Sequence, residues 1–135
     1  MLSHGTPLTC VWTGRPLKPQ NFDIDHCMPW SVWPCSDLWN LLPAHTRVNQ
    51  HEKRDRLPSA AAMASARGRI LGWWEEAYLS NDALRPRFMR EAEAALPLTS
   101  DTSSASVFDA LDWRRLRLSQ DQQVPQWSPT VTEQR

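Results

Sequence analysis

Residues 21–58 limit the possible folds most, because they read in turn as strand, rigid loop, strand and polar helix. Residues 21–26 (NFDIDH) alternate apolar Phe22 and Ile24 with acidic Asp23 and Asp25. A period of two marks a strand with one buried apolar face, which leaves Asp25 on the other. Residues 27–36 (CMPWSVWPCS) hold two prolines and two tryptophans, the composition of a fixed loop. Residues 37–42 (DLWNLL) read as a second short strand stopped by Pro43. From His45 to about Asp55 the chain lacks proline and glycine and reads as a polar helix, closed by Leu57 and Pro58.

Folded as strand, strand and helix, this segment gathers a defined set of groups. The first strand ends in a carboxylate, Asp25, beside an imidazole, His26. The second strand brings Asn40, and the helix carries His45, Asn49 and Lys53 at i, i+4 and i+8, on roughly one face. That face meets the end of the first strand. A carboxylate and an amide oxygen suit Mg²⁺ or Mn²⁺ better than Zn²⁺. Imidazole is the side chain that takes up a proton near neutral pH.

In order, Asp25-His26, Pro29-x-Ser31, Asn40-Leu41 and Asn49-x-x-x-Lys53 resemble the ββα-metal motif of HNH endonucleases, in the variant whose third motif residue is Asn. The likeness extends over about residues 10–58, with CVWTGRPL before the strand and RLP after the helix. It implies an α+β fold: a ββα-metal core, with a short β-hairpin and one helix, extended by about three C-terminal helices. It also implies a divalent-metal-dependent endonuclease that hydrolyses DNA and leaves a 5′-phosphate and a 3′-hydroxyl. His26 would be the general base, and Asp25 and Asn49 would hold one divalent cation, Mg²⁺ or Mn²⁺. Asn40 would hold the loop and orient His26, and Lys53 would help neutralise phosphate charge. Arg47, Arg54 and Arg56, on or just after the helix, are placed to meet flanking phosphates without reading sequence. The rival expectation is a catalytically weak module of the same shape that binds nucleic acid within a larger assembly.

One departure from the family is plain. Many members hold a structural zinc with two CxxC pairs; here Cys10 fits the first position, but Thr13, His45 and Val48 occupy the others. Cys10 and His45 are too few for a closed four-ligand site, so no structural zinc is expected. Packing of Trp12, Trp30, Trp33 and Trp39 is expected to replace it.

The remainder reads as helical. Residues 59–79 place Met63, Ala66, Ile70, Trp74 and Ala77 or Tyr78 on one face. Asn81 or Asp82 caps a helix reaching Ala95, with Pro86 in its first turn. Residues 99–106 read as a polar linker. Residues 107–118 form a last amphipathic helix, whose Val107, Phe108, Leu111, Trp113 and Leu116 suit a partner protein or a second copy. The arginine clusters of residues 67–69, 85–90 and 114–117 read as ordinary helix surfaces. Three regions are therefore expected: a nuclease core over 1–58, a helical extension over 59–118, and a flexible tail over 119–135 except around Trp127. A formal charge of +0 leaves DNA binding to local clusters. Three cysteines with no CxxC pair suit a reducing compartment, with Cys27 and Cys35 as free, partly buried thiols. With no signal-like start and no apolar run of the ~18 residues of a membrane span, a soluble cytoplasmic chain that does not meet the membrane is expected.

Overall fold

The computed structural model describes residues 8–99 and 102–129. The expectations for residues 1–7, 100–101 and 130–135 lie outside the described residues. The mixed architecture is the expected α+β one. β1 (Phe22–His26) pairs antiparallel with β2 (Leu41–His45), with Asp25 opposite Leu42 and Asp23 opposite Ala44.

Opposed residues share a face of the sheet. Asp25, Leu42 and Ala44 are buried, whereas Ile24 on the other face is 43% exposed. The polarity expected for β1 is therefore inverted: its acidic side faces inward. Burial of a carboxylate is tolerable where donors and cations accompany it. The elements that cover this face bring Trp12, Thr46, Asn49, Gln50 and Lys53 to the two carboxylates.

β2 also differs from its expected bounds. Residues Leu38–Asn40 form a buried 3₁₀ turn, and the strand begins at Leu41 and runs through Pro43. In a two-stranded sheet every strand is an edge, so the missing N–H of Pro43 breaks no interior ladder. Its carbonyl accepts from the Val11 amide at 3.1 Å. The following helix is short and wide. Residues Val48–Lys53 form a π-type turn, ended by the Arg54 amide donating to the Asn49 carbonyl at 3.0 Å. His45 is not on it but in β2, where its Nδ1 accepts from the Arg47 amide at 3.1 Å.

Beyond β3 (Leu57–Pro58), α1 (Ala60–Trp73) opens with Ser59 Oγ accepting from the Ala62 amide. It buries Met63, Ala66 and Ile70, then widens into a π-type turn over Trp74–Leu79. In α2 (Arg85–Ala95) Pro86 sits in the first turn, and Asn81 Oδ1 accepts from the Ala83 and Leu84 amides just before it. α3 (Ser104–Gln122) starts at its cap Ser103 and is longer at both ends than expected. It buries Val107, Phe108 and Leu111 but leaves Trp113 and Leu116 exposed. No described helix is long and apolar enough to cross a membrane.

Residues 119–129 do not run free. Gln123 turns the chain in a left-handed conformation (φ 53°), and β4 (Gln126–Trp127) pairs in parallel with β3. Trp127 is buried and meets Trp12 edge-on, with ring centroids 6.0 Å apart. The large indole supplies burial that the polar residues around it cannot. A single apolar core crosses residue 58: Cys27 Sγ lies 3.9 Å from Met63 Sδ. Two arginines read as surface residues are also structural. Arg115 is 2% exposed and reaches Asp112, the Pro58 carbonyl and Gln126. Arg69 donates from α1 to the carbonyls of Val11 and Trp12. Planar guanidinium groups with five donors suit such multiple contacts.

Candidate active site

The site is built where β1 ends beside the π-type turn. Asp25 is 3% exposed, and Oδ2 accepts from Trp12 Nε1 at 2.8 Å. Lys53, fully buried, sets Nζ 3.3 Å from Asp25 Oδ2 and 3.4 Å from Oδ1, and donates to the His26 carbonyl at 2.9 Å. The same ammonium lies 5.7 Å from the centroid of the Trp12 ring. Loss of solvent raises the Asp25 carboxyl above the usual carboxylate range, with Lys53 and the Trp12 N–H acting against it. Lys53 thus anchors the strand end and the carboxylate. It does not open onto the cleft as a phosphate ligand would, because its charge is already matched inside.

His26 is half-buried. Its Nε2 lies 3.2 Å from Ser36 Oγ, and its ring meets Trp30 edge-on at 6.2 Å. Asn40, fully buried, holds the intervening loop by its backbone. Oδ1 accepts from the Met28 amide at 2.8 Å, and Nδ2 donates to the carbonyls of Met28 and Cys35, each at 3.1 Å. The turn at Pro29 is closed by Val32 and Trp33 amides donating to its carbonyl. Asn40 acts on the loop backbone, and Ser36, the neighbour of His26, follows directly on the Cys35 carbonyl that Asn40 holds. Asn40→Ala should leave two carbonyls and an amide without partners, so we expect about 1–3 kcal/mol less stability. Urea denaturation checks this, and an unchanged midpoint would show that the loop holds itself.

Asn49 is the residue whose surroundings sequence reasoning missed. It donates from Nδ2 to Asp23 Oδ2 at 3.0 Å, not to Asp25. Gln50 donates to the same Asp23 oxygen and Thr46 to the other, at 2.9 and 3.1 Å. Asp23 therefore orients the turn that carries Asn49. The signal for it was present, since Asp23 and Asp25 share one side of a period-two strand. Nothing in the sequence signalled Trp12 as a donor to Asp25 or Ser36 as a neighbour of His26.

These groups surround one open cleft of about 350 Å³, lined by Asp25, His26, Asn49, Trp30, Arg54 and others. Arg47 and Arg54 are exposed. Arg56 instead turns back onto the carbonyls of Glu52 and Lys53, where a cation suits the end of a helical turn. The tryptophans divide: Trp12 and Trp39 are fully buried, whereas Trp30 is 60% exposed and does not pack in the core. Burial pushes the Cys27 thiol up to about 12, which favours its protonated form.

Among the described residues no group of three or more His, Cys, Asp or Glu side chains is arranged to hold a metal ion. Asp25 and Asn49, which both line the cleft, are oxygen-bearing side chains of the kind a hard cation takes. Asn49 spends its N–H on Asp23, which leaves the amide oxygen as its donor atom, and Asp25 lines the same cleft. Mg²⁺ commonly takes one or two protein oxygens and fills the rest with water and phosphate.

Residues 10–59 match the family model for HNH endonuclease. This segment belongs to the HNH endonuclease family. No curated protein and no solved structure matches the chain. The HNH segment contains β1, the loop, β2, the π-type turn and β3, and it ends at the cap of α1. It points to a nuclease with a nucleic-acid substrate, and HNH nucleases generally use a divalent metal. Trp127, Met63, Arg69 and Arg115 support the HNH segment from outside it.

Proposed function

We propose that the chain is a divalent-metal-dependent endonuclease that hydrolyses DNA phosphodiester bonds, with His26 as general base. The observation that carries this reading is the placement of Asp25, His26 and Asn49 around one open cleft. Asp25 and Asn49 would hold the cation, which when bound polarises the scissile phosphate and stabilises the departing oxygen. His26 takes a proton from a water as the water oxygen bonds to phosphorus. The bond from phosphorus to the 3′ oxygen breaks and that oxygen takes a proton from solvent water, leaving a 5′-phosphate and a 3′-hydroxyl. Asn40 keeps the loop beside His26 in place, and Lys53 fixes the strand end through Asp25 and the His26 carbonyl. Arg47 and Arg54 would meet the flanking phosphates, while Arg56 holds the end of the turn.

Supercoiled plasmid tests the reading. Conversion to open-circular or linear DNA is expected with Mg²⁺ or Mn²⁺ and none with EDTA. Equal conversion in EDTA, or none with any divalent ion, would overturn it. A second reading, a binding module without effective catalysis, is favoured by one feature: both Asp25 oxygens already face Lys53, and one also accepts from Trp12. Plasmid that is shifted on a gel but stays intact with every metal would select that reading.

A further inference from the structure

We propose that Trp30 is a stacking platform for an unpaired base beside the scissile phosphate, so that the substrate is nucleic acid with single-stranded character at the cut. As a statement about cleavage this rests on the nuclease reading above; as a statement about binding it does not.

Trp30 is 60% exposed, more than Trp113 (49%), Ile24 (43%) or Leu116 (43%), the other exposed large apolar side chains among the described residues. It stands on a backbone that is otherwise pinned. Asn40 clamps the loop at Met28 and Cys35, and the Pro29 carbonyl accepts from two amides of the next turn. An aromatic ring displayed from a fixed backbone loses little freedom when it binds.

Its surroundings decide what it would bind. The ring meets His26 edge to face, at an interplanar angle of 76°, and lines the same cleft as Asp25, Asn49 and Arg54. Ile24 adds a second exposed apolar side chain to that cleft. Paired and stacked bases in a duplex present phosphates, sugars and base edges, but no open ring face. An unpaired base does present one, and stacking on an aromatic side chain tolerates any base. Arg54 supplies positive charge for the backbone that carries it.

The full-length chain, in EDTA, would be titrated against one fluorescent DNA oligonucleotide, either single-stranded or annealed into duplex. We expect tighter binding to the single strand. Trp30→Ala should weaken that binding about tenfold or more, within the range for loss of one stacked base. Trp30→Phe should retain most of it, and duplex binding should change little in either variant. An unchanged melting temperature in Trp30→Ala would separate loss of stacking from loss of fold. Equal losses on both DNA forms, no loss on either, or no binding of DNA at all would overturn the inference and leave the exposed ring to a protein partner. A chain that binds single strands through Trp30 but cuts nothing with Mg²⁺ or Mn²⁺ upholds this inference and overturns only the nuclease reading. A chain that cuts plasmid yet loses nothing with Trp30→Ala overturns this inference alone.

Discussion

Replacing His26 with alanine is expected to lower kcat for Mg²⁺-dependent DNA cleavage by about 10²–10⁴-fold, the usual contribution of a positioned general base. The ring is half-buried and meets Ser36 and Trp30. Its loss should therefore leave the melting temperature nearly unchanged. Affinity for DNA measured in EDTA should also hold, because charge on Arg47 and Arg54 does not depend on the imidazole. A mutant that nicks plasmid as fast as the wild type would remove His26 from the chemistry. A mutant that melts early would assign the residue to the fold. Ser36→Ala offers a milder version, since it removes one neighbour of Nε2 while keeping the base.

The second large effect concerns stability. Lys53→Met is expected to cost about 3–5 kcal/mol, because it leaves the Asp25 charge buried with no cation beside it. The methionine stem keeps most of the volume and the contact with Trp12, so the loss reports charge more than packing. Changing Asp25 to Asn in the same chain should restore much of the stability, since an amide oxygen can still accept from Trp12 Nε1. The urea midpoints of the two single variants and the double variant form a cycle that isolates the coupling. Additive effects, or a Lys53→Met variant within about 1 kcal/mol of wild type, would mean that the pair is worth no more than an exposed one. Activity is a separate readout, because Asp25→Asn also alters the proposed cation site.

The expected α+β class and the HNH segment were legible in the sequence, down to the order of strand, loop, strand and helical turn. Local rules carried that far: the period of two in residues 21–26, the prolines of the loop, and the polar stretch without proline or glycine that follows His45. Other features were not legible. Ile24 and Asp25 alternate as any half-buried strand would, and alternation does not say which side is covered. Pro43 reads as a stop because a proline cannot donate to a ladder, and only the two-stranded sheet shows that it need not be one. Arg69 and Arg115 look like their exposed neighbours until the carbonyls they reach are brought close by the fold.

By itself, then, the sequence determined that Asp25 and His26 would be neighbours at a strand end and that Asn49 and Lys53 would follow four residues apart on the next turn. It also determined that they would sit on a strand followed by a helical turn. Only the tertiary structure decided how the groups are used. It buried Asp25 between Trp12 and Lys53, paired Asn49 with Asp23, and left Trp30 in the open beside His26. It also brought Trp127 back to close the core over Trp12. Those outcomes depend on side chains far apart along the chain. Burial of a charge is stable only when its distant partners arrive, and no local periodicity records their arrival.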